Sequence, residues 1–406
     1  MVENKITTST VAVVRCRSYE KNEIRQAVKR GIALLGGTNR FAEMKERILL
    51  KPNVLWPTDP VKCVITHPML LWAIADVMLA TGARFSYGDS SAGFSKSKTA
   101  MQRCGYGELL EPLGVNVQIF NNNREVVLSD SVSGKRLMLA EEVLAADGII
   151  NVPKLKSHGL TRLTGAVKNL YGCVVGMTKG DYHARFPDPY DFSNLLVDIA
   201  KVVRPRLHIM DAVDAMEGNG PQSGTPKRLG VLLFSTDPVA LDTIACKLIN
   251  LPTEYVPTIP AGVKAGLGCG DAPRITLVGD PLSAFIDRSF KVVRIPPPKL
   301  PQKGILASIR RYFLPRPVIR RNRCIKCGRC VSVCPVDPKA MEQVSKGRLP
   351  EYDYRRCIRC YCCHEVCPEK AILIKEPLTR KLLPFAPYIS LLVTNIINKR
   401  NTRNAQ

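Results

Sequence analysis

Through the first 290 residues, short apolar runs alternate with longer amphipathic segments, as strands and helices do when they take turns along an α/β chain. Strand-like runs fall at 10–15, 47–50, 84–87, 115–120, 148–152, 207–210, 231–234 and 275–278. Helical periodicity marks 23–35, 160–171, 192–203 and 238–250. A further helix opens at Thr66-His67-Pro68 and runs through Trp72 and Met78, with Thr66 as N-cap and Gly82 as stop. These elements predict a mostly parallel sheet covered by helices. Ligands of such sheets gather beyond the carboxyl ends of the strands, so the residues that follow each run carry the functional question.

Those residues are chemically loaded. Lys51-Pro52-Asn53 follows the 47–50 run. Gly88-Asp89-Ser90-Ser91-Ala92-Gly93 follows 84–87, a small-residue loop that lets backbone N–H groups approach an anion. Pro153-Lys154-Leu155-Lys156-Ser157-His158 comes next, and its alternation puts Lys154, Lys156 and His158 on one side of an extended segment. Asp211, Asp214 and Glu217 follow 207–210, and Asp237-Pro238 with Asp242 follow 231–234. Plain readings compete: Asp237 before Pro238 is first of all a helix N-cap, and the Gly/Ser loop is a turn without a G-x-G-x-x-G or Walker pattern. Yet titratable groups recurring at strand ends are a functional-site signal. Lys154, Lys156, His158, Asp211 and Glu217 are the candidate catalytic groups, Asp211 and Glu217 being also candidate ligands for a divalent cation, and Lys51, Asn53, Asp89 and Lys168 the candidate binding groups for a small anionic substrate or cofactor.

The cysteines carry a second chemistry. Cys324-x2-Cys327-x2-Cys330-x3-Cys334-Pro335 recurs as Cys357-x2-Cys360-x2-Cys363-x3-Cys367-Pro368, the bacterial ferredoxin spacing in which the fourth thiol serves the partner cluster. The reading is therefore two 4Fe–4S clusters, one on Cys324, Cys327, Cys330 and Cys367, the other on Cys357, Cys360, Cys363 and Cys334. Zinc sites use two short pairs with a longer spacer, and disulfides need an oxidising compartment. Repeated flanks, Arg323-Cys-Ile-Lys-Cys327 and Arg356-Cys-Ile-Arg-Cys360, suggest a pseudo-two-fold module. Cys362 reads as a free thiol beside the cluster, and the scattered cysteines as buried small apolar residues.

Charge sharpens the division of the chain. The net charge is +24, and residues 291–406 carry 25 Lys+Arg against 7 Asp+Glu, a net of +18. The organisation expected is an α/β domain over 1–290, a Pro-rich basic linker over 291–320, a two-cluster domain over 321–376 and a basic apolar tail over 377–406. The tail, broken by Pro384 and Pro387, is too short for a membrane span and leaves peripheral membrane contact open. The amino-terminal residues show no signal peptide, so a reducing cytoplasm is expected. The basic excess suits an acidic redox partner, while nucleic-acid binding lacks a recognised motif.

Lys51-Pro-Asn53, Pro153-Lys-Leu-Lys-Ser-His158, Thr164-Gly-Ala-Val-Lys-Asn169, Met216-Glu-Gly-Asn-Gly-Pro221 and Asp237-Pro-Val-Ala-Leu-Asp242 together resemble the domain of unknown function 362, over roughly residues 45–250. Members of that family often carry a ferredoxin module. The resemblance implies an α/β fold similar to the N-terminal domain of lactate racemase-type proteins and transfers no catalytic residue. Two functions follow from all these readings: an iron–sulfur oxidoreductase acting on a small anionic substrate, or a non-catalytic electron-transfer or assembly protein that docks to a redox partner.

Overall fold

Ten strands join one sheet in the computed structural model, which describes residues 8–91, 97–298 and 314–377. In chain order the strands of the α/β domain are β1 (Ser9–Arg15), β2 (Arg47–Pro52), β3 (Arg84–Tyr87), β4 (Asn116–Val117), β5 (Asn123–Val127), β6 (Arg136–Ala140), β7 (Gly148–Val152), β8 (Lys154–His158), β9 (Arg162–Thr164), β10 (Leu207–Glu217), β11 (Thr225–Ser235) and β12 (Ile275–Gly279). The sheet runs β12-β1-β11-β10-β7-β2-β3-β4, with β8 also beside β10 and β9 beyond β8. Its pairs are parallel except that β11 runs against β1 and β10, and β9 against β8. The strands β5 and β6 form a separate hairpin. A mostly parallel sheet with helices is thus the architecture, as the alternating pattern predicts.

Period-two burial fixes the sheet between two apolar layers. Val11 and Val13 face one layer while Ala12 and Val14 face the other, and Leu49 opposes Ile48 and Leu50 in the same way. The helices Lys21–Leu34 and Pro68–Met78 cover one face; Pro189–Val203 and Pro238–Leu248 cover the other. Asp237 caps the last of these, accepting from the N–H groups of Val239 and Ala240 at 2.8 and 2.9 Å.

Two expectations need correction. The segment 160–171 is not one helix. Its first half reverses direction and pairs as β9 with β8, Arg162 adopting a left-handed φ of 67°, and a short helix, Ala166–Asn169, then starts anew. Asp242 anchors that start by accepting from Ala166 and Val167 N–H at 2.6 and 3.2 Å. Apolar residues on every side of this buried segment imitate helical periodicity. Thr66 does not cap its helix either. Its hydroxyl donates to the Val152 carbonyl at 2.6 Å and accepts from Asn53 N–H at 2.9 Å, so it ties β7 to the end of β2, and His67 Nδ1 takes the capping role. Strands β10 and β11 also run to 11 residues each, longer than their apolar stretches.

The cysteine module pairs β13 (Arg316–Ile319) with β16 (Ile372–Lys375) and β14 (Met341–Glu342) with β15 (Glu351–Tyr352). Its own apolar centre is small, built on Cys330, Met341 and Ile372. It packs directly on the α/β domain: Tyr361 joins the larger core, Arg329 lies over the Trp56 ring at 4.9 Å, and Lys370 Nζ donates to the Gly224 carbonyl at 3.1 Å. Much of the expected linker (299–313) and nearly all of the expected tail (378–406) lie outside the described residues.

Candidate functional site

Where β8 meets the cysteine module there is a cavity of about 700 Å³ with walls from both. The α/β domain supplies Asn53, Asp89, Lys156, His158, Lys168, Lys179 and His183; the module supplies Val333, Cys362, Glu365 and Val366. Local structure explains how these side chains arrive. Lys156 and His158 alternate on β8, Lys168 sits on the helix anchored by Asp242, and Lys179 and His183 lie four apart on the helix Thr178–Arg185. Cys362 and Glu365 belong to the one-turn helix Cys362–Glu365.

Charge in the cavity is unbalanced. Lys51, fully buried, is neutralised by Asp89 at 2.9 Å, and Asp89 also accepts from Val54 N–H at 2.7 Å. Lys156 and Lys179 bond to neutral oxygens. Lys156 Nζ donates to Asn53 Oδ1 at 2.6 Å and to the Val64 carbonyl at 2.8 Å, which leaves one position of the amine open. Asn53 is held in turn through Asn169 to Asn151. Lys179 donates to the Ser90 carbonyl, and Lys168 stands over the Tyr171 and Phe192 rings at 5.2 and 5.7 Å. Burial, then the neighbouring Lys168, pushes Lys156 down to about 7. Burial lowers Lys168 as well and takes Lys179 to about 8. Three lysines in the lining, none of them in a direct ion pair among the described residues, against Glu365 as the one lining carboxylate not bonded to a lysine, leave the site short of negative charge.

Glu365 is the carboxylate the module inserts among these cations. Its Oε1 lies 3.2 Å from His158 Nε2, without the alignment of a full hydrogen bond. Burial would raise the Glu365 carboxyl, but His158, Lys168 and His183 around it hold it below its ordinary value. Burial takes His158 to about 4, and its Nδ1 accepts from Leu160 N–H at 3.0 Å. The ring is therefore neutral near pH 7, with its proton on Nε2 toward Glu365. His183, stacked on Phe192 at 4.4 Å and pushed by burial to about 3, keeps Nδ1 without a partner.

The other candidate residues go elsewhere. Lys154 does not line the cavity: its buried ammonium pairs with the buried Asp211 at 3.0 Å and donates to Oη of the half-buried Tyr19 at 2.9 Å. Asp211 further accepts from Tyr19 Oη and His67 N–H, and Tyr19 stacks on His67 at 3.6 Å, so every group in this knot is satisfied. Glu217 accepts from Lys291 N–H at 2.8 Å, and Asp214 pairs with Arg228. The sequence singles out none of Lys179, His183 and Glu365, and marks Cys362 only as a free thiol beside the cluster. The four-residue spacing of Lys179 and His183 was a usable signal; nothing local pointed Glu365 away from its own module.

The eight repeated cysteines ring two small recesses. Cys324, Cys327, Cys330 and Cys367 surround one, with Ile319, Ile325 and Ile372. Cys334, Cys357, Cys360 and Cys363 surround the other, with Met341, Tyr352 and Tyr361. The fourth cysteine of each run has crossed to the opposite recess. Among the described residues no three His, Cys, Asp or Glu side chains converge on one point as ligands of a single ion would. Four thiols around an apolar recess suit a larger inorganic body instead. Each recess also touches the cavity in sequence: Val333 precedes Cys334, Cys362 precedes Cys363 and Val366 precedes Cys367.

Comparison with known proteins agrees with this division. The domain of unknown function DUF362 matches residues 48–247, and a 4Fe-4S dicluster domain matches residues 316–368. A thylakoid-associated protein of Synechocystis sp. is 36% identical over 259 residues, 64% of this chain and 80% of that one. Among solved structures, the lactate racemase apoprotein from Thermoanaerobacterium thermosaccharolyticum aligns with a TM-score of 0.40 at 15% identity, over 61% of this chain and 58% of that one. A protein from Thermotoga maritima aligns at 0.36 and 10% identity, over 56% of this chain and 58% of that one. The chain thus spans less than two thirds of either solved structure. No helix among the described residues is long and apolar enough to cross a membrane. The chain belongs to the DUF362 family and is an iron–sulfur protein whose 4Fe-4S dicluster domain equips it for electron transfer.

Proposed function

We propose that the protein is an oxidoreductase that exchanges electrons between an external carrier and a small anionic substrate held in the cavity between its two domains. The observation that carries this reading is the shared wall: lysines of the α/β domain face Cys362 and Glu365 on the helix that also bears Cys363. Two 4Fe–4S clusters are assigned, one on Cys324, Cys327, Cys330 and Cys367, the other on Cys334, Cys357, Cys360 and Cys363, supported by the two recesses. When bound, they supply one-electron redox chemistry. The chain's own residues do the rest. Lys156, Lys168 and Lys179 hold the anion, Asn53 and the Lys51–Asp89 pair fix the position of Lys156 and the cavity floor, and the apolar Val333 and Val366 exclude water. Lys156, near 7, and His158 beside Glu365 are the groups placed to move protons. Lys154, Asp211 and Glu217 serve as positioning residues that lock β8 and β10. The reading carries with it a reducing, cytoplasmic compartment.

The test is anaerobic. Cluster-loaded protein is reduced, and a panel of anionic metabolites is screened for substrate-dependent reoxidation, followed by visible absorption. Reoxidation that is lost in Lys168→Ala and Lys179→Ala supports the assignment. If no anion alters either the reoxidation rate or the melting temperature, the non-catalytic electron-transfer or assembly role replaces it.

A further inference from the structure

The two recesses face different surroundings, and the difference gives the module a direction. The recess of Cys334, Cys357, Cys360 and Cys363 is closed by Tyr361, which is packed into the α/β core. The recess of Cys324, Cys327, Cys330 and Cys367 has Cys327 exposed. Around that thiol the segment from Arg320 to Val336 contains Arg320, Arg321, Arg323, Lys326 and Arg329 and no acid. Arg329 turns to Trp56, but the other four are exposed. Gln343 Nε2 donates to the Lys326 carbonyl at 3.0 Å, which brings exposed Lys346 and Arg348 to the same side. Among the described residues none of these six cations pairs with a carboxylate; the module's ion pairs use Arg355 and Arg356. Glu369 is the one acid lining the recess. Between the charges stand two bare apolar side chains, Ile325 at 60% and Val344 at 94% exposure.

We infer that this face is the docking site of an acidic, one-electron redox protein, with Ile325 and Val344 as its apolar centre and the six cations as its rim. One electron would leave the docked partner, which is thereby oxidised, and reduce the cluster that Cys324, Cys327, Cys330 and Cys367 would hold; no bond or proton is exchanged. A redox protein is favoured over an anionic membrane as the occupant because the face surrounds the exposed Cys327 at the mouth of a four-cysteine recess, a feature that an electron carrier can use and a lipid surface cannot. The inference rests on the cluster assignment above but not on the identity of any substrate.

The experiment uses full-length, cluster-loaded protein and a purified acidic flavodoxin as probe. Binding is measured at low ionic strength and as a function of salt, and reduction by flavodoxin hydroquinone is followed by stopped flow. A variant carrying Arg320→Glu, Arg323→Glu and Lys326→Glu should bind at least about tenfold more weakly, with a flattened salt dependence. Reduction by a small uncharged photoreductant should stay at the wild-type rate. A control carrying Lys29→Glu, Lys45→Glu and Lys264→Glu changes the net charge equally on the α/β domain and should bind as wild type. The proposal is overturned if wild type does not bind, if the module variant binds unchanged, or if the control loses as much. It is also overturned if the module variant loses only binding to phosphatidylglycerol vesicles. Visible absorption reports cluster loading separately, so weak binding by a loaded protein counts against the docking face alone.

Discussion

An anion that enters the cavity should bring a proton with it. Lys156 is 1% exposed and lies near 7, because burial and Lys168 both disfavour its charge. At pH 8 it is therefore only about one-tenth protonated. A unit negative charge about 4 Å from the amine, at an effective dielectric near 20, interacts with its charged form by roughly 4 kcal/mol, enough to make it almost fully protonated. Even a tenfold stabilisation of the ammonium leaves it about half protonated at that pH. Between about 0.4 and 0.9 proton should thus be taken up by Lys156 per anion bound, and Lys179, near 8, adds its own share to the total. Calorimetric titration with inorganic phosphate and then dicarboxylates, in buffers of different ionisation enthalpy, measures that total. Lys156→Arg keeps its charge at all relevant pH and should bind without the Lys156 share of the uptake, whereas Lys156→Met should lose both. Binding at pH 8 with proton release, or with the same uptake in Lys156→Met, would refute the reasoning.

Four further outcomes are expected. Because Lys156 is held below its unfolded value, the unfolded chain binds more protons between about pH 7 and 10, so wild type should gain stability with rising pH across that window by up to about 1.4 kcal/mol per pH relative to Lys156→Met, read from denaturant midpoints. Lys51→Met strands Asp89 in the core and should cost about 3–5 kcal/mol, part of which Lys51→Met with Asp89→Asn recovers in chemical denaturation. Gly172→Ala would push a methyl group into Asp89 and Lys51 and should destabilise the fold comparably, with anion affinity falling before the clusters are lost. Removal of iron should abolish visible absorption and raise hydrogen exchange throughout 314–377, since the apolar centre of the module is small, whereas Cys360→Ser, which touches one recess, should lose roughly half of that absorption.

The grouping of the eight cysteines around two recesses was legible because their spacing is local: each run sets three thiols within seven residues, and the crossing fourth follows from the same repeat. The sheet was legible for a related reason, period-two burial on strands such as β1 and β2. The cavity was only half legible. Lys156, His158 and Lys168 were within reach because they follow a strand, but Lys154 shares that alternation and is used instead to bind Asp211. What divides them is the partner each finds across the fold, which no spacing along β8 records. Glu365 is hidden by its position inside a cysteine run, and Cys362, read as a free thiol beside the cluster, gives no sign of the cavity it also lines. Their second role arises only from how the two domains pack.

The helix Cys362–Glu365 has a bearing on what happens when iron runs short. It is a single turn held between cluster thiols, and it closes one side of the anion cavity. A chain that has not received its inorganic cargo lacks more than a conductor: it lacks a dependable fourth wall for its guest. Under the oxidoreductase function proposed above, starved protein would neither transform its anionic substrate nor sequester it, so the pool stays free for other consumers until the metal supply returns. Occupancy of the cavity thus becomes a readout of completed maturation.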